Sequence, residues 1–206
     1  MPSIYSLKPR FQGLLRPGVA AMARAGITAN QVTLFACGAS VAVGILLSHR
    51  SARWLLILPP FFFVRMALNA VDGMLAREFG QKSRLGAYLN ELSDVVADAF
   101  LYLPFAYLPG FDPLWIGVVI VLAALSEMTG VVGVMTGASR RYDGPMGKSD
   151  RAFVFGALAL WMGLGGPVAP EAALWFEVSI AVLLAATIVN RVRKGLKETS
   201  GLRISS

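Results

Sequence analysis

The chain has 206 residues, of which 56% are hydrophobic and only 15% are charged, and its formal net charge is +7. A soluble domain normally carries about 25% charged residues, so this composition excludes an ordinary soluble protein and indicates a membrane protein. The length allows one helical bundle of about five or six spans and leaves no room for a sizeable soluble domain. We therefore predict one membrane domain over residues 1–206.

The first 28 residues lack a continuous apolar run but show a helical pattern. Five apolar side chains recur at helical spacing beside basic residues: Ile4, Leu7, Phe11, Leu14 and Leu15. This pattern predicts an amphipathic helix over residues 1–28 that lies in the membrane interface and is broken at Pro9 or Pro17. The alternative is a basic, disordered start.

Six apolar stretches follow, each close to the roughly 20 residues that a helix needs to cross about 30 Å of hydrocarbon. They occupy residues 30–48, 54–76, 84–107, 113–136, 151–166 and 170–190, and the fifth is the shortest. The sequence therefore predicts an all-α, polytopic bundle with six transmembrane helices.

Basic residues lie mainly on one side of these stretches. If the N-terminus faces the cytoplasm, 16 of the 19 Lys and Arg residues are cytoplasmic, including those of a basic tail at 191–206. Because cytoplasmic loops are enriched in Lys and Arg, we predict that both termini are cytoplasmic and that the chain resides in a bacterial inner membrane. The basic rim would attract anionic membrane lipids, and we expect no nucleic-acid partner.

Polar side chains interrupt the second and third stretches at helical spacing. In the second, four positions share one helix face: Asn69, Asp72, Gly73 and Ala76. Gly80 is the predicted helix stop, and the third helix is predicted to begin near Arg84. On that helix a small or polar residue recurs every four positions: Gly86, Asn90, Asp94 and Asp98. The two helices are predicted to be antiparallel neighbours whose polar faces meet.

These acids need compensation. A carboxylate near the membrane centre costs roughly 2.5–3.5 kcal/mol, and acids on facing surfaces repel one another. Solvated helix ends would account for Glu78, but Asp94 and Asp98 lie several turns inside an apolar helix. Divalent cation binding is the better explanation, because Asp and Asn oxygens suit Mg²⁺ or Mn²⁺. Such an ion would attract a phosphate or diphosphate group.

Basic and small residues extend this hypothesis. Arg77 lies one turn beyond Gly73, at the mouth of the predicted site, and the small Gly73, Ala76 and Gly86 would let helices or a flat ligand approach closely. Lys148 and Arg151, where the fifth helix begins, could hold a second anionic group, or they could belong to an ordinary basic loop.

Two intramembrane charges complete the set of unusual residues, Arg65 and Glu127. They could pair with each other, or either could line a polar pocket. "GKS" at 147–149 is not a phosphate-binding P-loop, because Tyr142 stands where that motif needs glycine.

The acidic stretch resembles the signature of the CDP-alcohol phosphotransferase family. The family motif is D-x-x-D-G-x-x-A-R, eight residues, then G-x-x-x-D-x-x-x-D. This chain keeps the spacing and six of the eight fixed residues, with Asn69 and Asn90 in place of aspartates. The segment "GITANQVTLF" also looks like the start of the family's first span.

This resemblance implies a phospholipid-synthesis transferase. Family members hold a CDP-linked lipid donor, such as CDP-diacylglycerol, with divalent ions; an alcohol attacks and CMP leaves. The resemblance makes Asp94 the base for the alcohol. It assigns metal binding to Asn69, Asp72, Asn90 and Asp94, and it places Gly73, Ala76, Arg77 and Gly86 at the substrate. It also implies a homodimer.

The two asparagines leave alternatives open. Metal binding could be weaker, one ion could suffice, or Asp98 and Glu91 could contribute. In a shifted register, Asp94 would bind metal and Asp98 would be the base. The chain could also be a divalent-cation transporter, a membrane scaffold or an inactive family relative. The acceptor alcohol is not readable; glycerol phosphate, inositol phosphate, serine and another lipid all fit.

Overall fold

The computed structural model describes the backbone of residues 4–202 and the side chains of residues 11–200. This part of the chain contains α-helices and short 3-10 segments and no strand, which confirms the predicted all-α class. The helices are α1 (Ile4–Arg24), α2 (Ala29–Ser48), α3 (Leu58–Glu78), α4 (Arg84–Tyr102), α5 (Pro113–Met135), α6 (Lys148–Gly163) and α7 (Pro170–Leu202). The 3-10 segments are Ala52–Ile57, which leads into α3, and Leu103–Tyr107, which follows α4.

Within the part of the chain that the structure describes, four segments are long and apolar enough to cross a membrane: Ala29–Ser48, Ala52–Glu78, Pro113–Met135 and Pro170–Ser200. They establish an integral membrane protein. The two remaining predicted spans correspond to α4 and α6, which do not meet the same standard. Helix α4 carries the motif acids, and the 16 residues of α6 extend only about 24 Å at 1.5 Å per residue. The exact count of six spans stays a prediction.

Helix α1 is continuous from Ile4 to Arg24, so the predicted break at Pro9 or Pro17 is wrong. A proline removes one backbone donor from a helix, and here the helix continues past both. It ends instead at Arg24, and Gly26 follows with a φ of 79°, which is favourable for glycine. The amide of Ile27 donates to the carbonyl of Met22 at 3.0 Å, which satisfies an orphan carbonyl of the last turn.

The chain forms two compact units, and the first contains the described part of Met1–Ala42 together with Pro60–Ala97. Its apolar core joins α1, α2 and α3 through buried side chains: Val19, Ala29, Val32, Val71, Met74 and Leu75. The apolar face of α1 packs here, and the predicted location of this helix in the membrane interface stays a prediction.

Local signals fix the helix ends of the first unit. A capping box starts α2: the Gln31 amide donates to Thr28 Oγ1 at 3.2 Å, and the Thr28 amide donates to Gln31 Oε1 at 2.9 Å. Gly80, with φ of 69°, follows the end of α3 and confirms the predicted helix stop. The hydroxyl of Ser83 then accepts from the Gly86 amide at 2.9 Å and caps α4 at the predicted position.

The second unit contains Val43–Pro59 and the described part of Asp98–Ser206. Its core is aromatic and centres on Phe155 of α6, which is fully buried. The ring of Tyr102 stacks on Phe155 with 4.2 Å between centroids, and the rings of Phe105 and Phe176 meet it edge-on at 5.0 and 5.6 Å. Edge-to-face and stacked aromatic pairs of this kind add to the stability gained by burial.

Candidate functional site

A cleft of about 460 Å³ in the first unit contains most of the residues that the motif predicts. It is lined from α3 by Asp72, Gly73, Ala76 and Arg77, and from α4 by Gly86 and Asn90. The polar faces of the two helices therefore do meet, as their spacing predicts. The remaining lining consists of Ala29, Asn30, Thr33, Gln81, Lys82, Ser83, Ala87 and Glu91.

Asp72 is the buried carboxylate of this cleft, with only 5% of the residue exposed. The hydroxyl of Thr33, on α2, donates to its Oδ2 at 2.8 Å. The Thr33 hydroxyl also lies 3.0 Å from the Ala29 carbonyl oxygen, one turn earlier on α2. Because the hydroxyl has a single proton, it donates to one of these two acceptors at a time. A hydrogen bond to a carboxylate is stronger than one to a neutral acceptor, and it fixes the orientation of Asp72 in the cleft.

The two motif glycines permit close approaches. A Cβ on Gly86 would lie 2.8 Å from Asn30 Oδ1 and 3.0 Å from Ser83 Oγ, so only glycine leaves these side chains in place. A Cβ on Gly73 would lie 2.6 Å from an Nη atom of Arg77, because the guanidinium of Arg77 folds back over the helix. The cleft thus presents a cation that packs directly on the backbone at Gly73.

Asn69 and Asp94 lie in a second polar cluster, with Arg65. The Asn69 amide nitrogen and one guanidinium nitrogen of Arg65 each lie 3.4 Å from Asp94 Oδ1. The same guanidinium nitrogen donates to the backbone carbonyl of Asp94 at 3.2 Å. Neither Asn69 nor Asp94 is part of the described lining of the cleft. Asp72 thus lines the cleft, and Asp94 contacts Asn69 and Arg65.

Arg65 thus has Asp94 as its ion-pair partner, and Glu127 has different partners in the second unit. Arg151 lies 3.1 Å from Glu127 Oε1, Arg140 lies 3.3 Å from Oε2, and Arg191 lies 3.5 Å from Oε2. The hypothesis that Arg65 and Glu127 pair with each other stays a prediction. A carboxylate inside an apolar bundle requires compensation, and arginines supply it here.

Arg151 and Asp98 also belong to this group in the second unit. Arg151 is fully buried, and its Nη2 lies 2.7 Å from Asp98 Oδ2. This placement does not support the predicted role of Arg151 in holding an anionic substrate, because its guanidinium is committed to Asp98 and Glu127. It also commits Asp98, the alternative base, to an ion pair. The role predicted for Lys148 stays a prediction.

The oxygen donors present suit a hard divalent cation, but they are few. Between residues 11 and 200, no group of three or more His, Cys, Asp or Glu side chains is arranged to hold a metal. The cleft itself offers the carboxylates of Asp72 and Glu91 and the amide oxygen of Asn90. Carboxylate and amide oxygens are ligands that Mg²⁺ and Mn²⁺ accept, so this donor set fits one such ion.

Sequence reasoning missed the residues that close the cleft opposite the motif. Gln81 Oε1 accepts from the Ala29 amide at 2.7 Å, which ties the turn after α3 to the first turn of α2. Asn30 and Thr33 enter the cleft from the same helix. The capping box Thr28-x-x-Gln31 was the sequence signal that could have identified them. It places Asn30 in the first turn of a helix, where backbone amides and side chains can face a ligand.

The pattern of the CDP-alcohol phosphatidyltransferase family matches residues 26–189. The Inner membrane protein YnbA of Escherichia coli (strain K12) is 43% identical to the chain over 198 residues, covering 94% of this chain and 96% of YnbA.

Two crystal structures of phosphatidylinositol phosphate synthase from Mycobacterium tuberculosis share the fold. The one with CDP-DAG bound gives a TM-score of 0.72 at 21% identity, covering 87% of this chain and 92% of that one. The one in complex with manganese and citrate gives 0.69 at 22% identity, covering 87% and 88%. The motif, the cleft and the extent of the match agree: the chain belongs to the CDP-alcohol phosphatidyltransferase family, whose members transfer substituted phosphate groups.

Proposed function

We propose that this protein transfers a phosphatidyl group from a CDP-linked lipid such as CDP-diacylglycerol to an alcohol and releases CMP, with Mg²⁺ or Mn²⁺ as cofactor. The cleft carries this proposal, since it joins Asp72 and Arg77 of α3 to Gly86 and Asn90 of α4. The structural relatives support it, because one binds CDP-DAG and another is in complex with manganese.

The cleft can serve the nucleotide end of the donor. Gly73, Ala76 and Gly86 add little side-chain bulk to the cleft, and the Arg77 guanidinium, which lies against Gly73, supplies positive charge there. Asp72 and Asn90 would hold the metal ion, for which the motif also nominates Asn69 and Asp94. When bound, the ion neutralises charge on the diphosphate, which is the main requirement of phosphoryl transfer.

Asp94 is the proposed base. The acceptor hydroxyl oxygen bonds to the lipid-side phosphorus, the bond from that phosphorus to the CMP oxygen breaks, and the hydroxyl proton passes to the Asp94 carboxylate. Side-chain exposure favours Asp94 over Asp98, because the Asp94 side chain is 24% exposed and the Asp98 side chain only 5%. The register given by Gly86 agrees with this assignment.

The membrane arrangement follows from the same proposal. Helices α4 and α6 would complete six spans, with both termini in the cytoplasm and α1 in the interface of the inner membrane. An acceptor alcohol would reach Asp94 from the cytoplasmic side. The protein would act as a homodimer.

Mass spectrometry of the reaction products tests the proposal. Purified protein is incubated with CDP-diacylglycerol, Mg²⁺ or Mn²⁺, and a panel of glycerol phosphate, inositol phosphate, serine and lipid alcohols. We expect metal-dependent CMP release with one acceptor, abolished in Asp72→Ala and in Asp94→Ala.

The competing functions give different results. Uptake of Mn²⁺ into proteoliposomes without CMP release would support a transporter and contradict the proposal. Absence of both activities in folded protein would support an inactive family relative. Unchanged membrane lipids in cells that carry only Asp72→Asn would support a scaffold.

A further inference from the structure

Arg65 is an unusual residue for its position. It lies within the membrane-crossing segment Ala52–Glu78 and is only 4% exposed. Its Nη2 contacts both Oδ1 and the backbone carbonyl of Asp94, at 3.4 and 3.2 Å. A buried arginine in an apolar span is costly and persists only where a partner compensates it. Asp94 is such a partner.

Asn69 strengthens this arrangement. It lies one turn after Arg65 on α3, and its amide nitrogen is directed to the same Oδ1 of Asp94 at 3.4 Å. In this position Asn69 acts as a hydrogen-bond donor to a carboxylate, whereas a metal ligand must offer oxygen. An aspartate at residue 69 would instead bring a second negative charge beside Asp94.

The charges of the two polar clusters can be counted. Asp72, Glu91 and Asp94 contribute −3, Arg65, Arg77 and Lys82 contribute +3, and Asn69 and Asn90 are neutral, so the sum is 0. One divalent ion changes this sum to +2, which suits a bound diphosphate. A second divalent ion beside Asp94 would meet the guanidinium of Arg65 in a poorly solvated environment, where like charges repel strongly.

We propose that Arg65 is a built-in cation that takes the place of a second divalent ion beside Asp94, so that this chain holds one divalent ion, at Asp72 and Asn90. Arg65 is then a positioning residue, which holds Asp94 and balances its charge. This inference rests on the proposed function. It accounts for Asn69 and Asn90 together. The family motif has aspartates at these two positions, and the guanidinium of Arg65 takes the place of the divalent ion that those aspartates would help to bind.

The number of bound ions tests the inference directly. Mn²⁺ is titrated into full-length wild-type protein with CMP present, and the electron paramagnetic resonance signal of free Mn²⁺ is followed against a protein-free CMP blank. We expect one bound equivalent per chain. Two equivalents in the wild type would overturn the inference, and so would none.

A variant can restore the second site. Arg65→Gln combined with Asn69→Asp removes the guanidinium and returns a carboxylate beside Asp94, and we expect it to bind two equivalents. Arg65→Lys keeps the positive charge and should stay at one. Arg16→Gln is the matched control: Arg16 also pairs with an acid of this unit, Glu78 at 3.0 Å, but it is exposed. A folded double variant that binds only one equivalent would contradict the inference.

Failure of this inference differs from failure of the proposed function. Two bound ions together with CMP release would refute the role of Arg65 and leave the transferase standing. One bound ion without CMP release from any acceptor would support the charge balance and count against the transferase.

Discussion

The hydroxyl of Thr33 on α2 lies 2.8 Å from Oδ2 of Asp72 on α3, and both residues are buried. Asp72 belongs to the motif and Thr33 does not. A first prediction follows from this contact. Thr33→Val keeps the side-chain shape but removes the donor, which costs about 1.5–3 kcal/mol for a hydrogen bond to a charged group.

We expect Thr33→Val to lower kcat/KM for CMP release by roughly tenfold to a hundredfold and to weaken Mn²⁺ binding. Thr33→Ser should restore both. Thr129→Val is the control, because Thr129 makes only a hydrogen bond to the Leu125 carbonyl on the exposed surface of α5. Equal metal affinity in wild type and Thr33→Val would contradict a role in positioning Asp72.

Asp94 and Asp98 should respond differently to the same substitution. Asp98 Oδ2 lies 2.7 Å from Nη2 of the fully buried Arg151, so Asp98→Asn removes one of the two carboxylates that compensate a buried guanidinium. Breaking a buried pair costs about 3–5 kcal/mol, and we expect a clearly lower Tm. Asp94→Asn should abolish CMP release, with a smaller effect on Tm because the Asp94 side chain is more exposed and Arg65 keeps the Asp94 backbone carbonyl as an acceptor.

The double variant Asp98→Asn with Arg151→Met checks the reason. Removing both charges should recover part of the lost Tm, because the undercompensated guanidinium is gone and Glu127 keeps Arg140 and Arg191 as partners. Thermal unfolding and CMP release per folded molecule are measured in parallel. If Asp98→Asn abolishes turnover at unchanged Tm, the shifted register is correct and Asp98 is the base.

Gly73 should be sensitive to a single methyl group. A Cβ at this position lies 2.6 Å from an Arg77 nitrogen, so Gly73→Ala must displace the guanidinium from the cleft. We expect KM for the CDP-linked donor to rise by about tenfold, equivalent to about 1.4 kcal/mol of binding, with little change in Tm. Gly38→Ala is the control, because a Cβ there meets nothing within 4 Å. If Gly73→Ala and Gly38→Ala have the same KM, Arg77 does not contribute to binding of the donor.

The loop before α6 provides a pH-dependent prediction. Asp143 Oδ1 lies 2.8 Å from Lys194 and Oδ2 lies 2.6 Å from Arg141. The hydrogen bond from Lys194, together with that from Arg141, lowers the pKa of Asp143 below its ordinary value although partial burial opposes this. A lowered pKa in the folded state means that this stabilisation is present at neutral pH and is lost as the pH falls below about 3.9.

Asp143→Asn should therefore lower Tm at pH 7, by an amount that corresponds to at most about 1 kcal/mol for each partly exposed pair. The difference between wild type and variant should shrink as the pH approaches 3. Thermal unfolding in detergent from pH 7 to pH 3 measures it. A difference that stays constant over this range would mean that the charge of Asp143 does not contribute.

Much of the fold was readable because helix formation is local. Apolar runs predicted the regions of α2, α3 and α5, Gly80 predicted the end of α3, and Ser83 precedes the predicted start of α4. The break in α1 was predicted wrongly, because a proline penalty of about 3 kcal/mol can be offset when a helix packs its apolar face against a core. In α1, Val19 is buried in such a core.

The candidate site was readable in part for the same reason. Asp72, Gly73 and Ala76 share a face through helical periodicity alone, and the structure finds that face lining a cleft. The partners of those residues were not readable. Thr33 meets Asp72 across 39 positions of sequence, and Gln81 meets Ala29 across 52.

The sequence by itself determined the membrane character, the helix positions and the motif, because hydrophobicity, periodicity and spacing act within a few turns. Only the tertiary structure decided which charges compensate one another. In the structure, Arg65 pairs with Asp94, and Arg151 pairs with Asp98 and Glu127. Ion pairs of this kind depend on how each helix is rotated against its neighbours, and that rotation is set by the packing of many side chains at once.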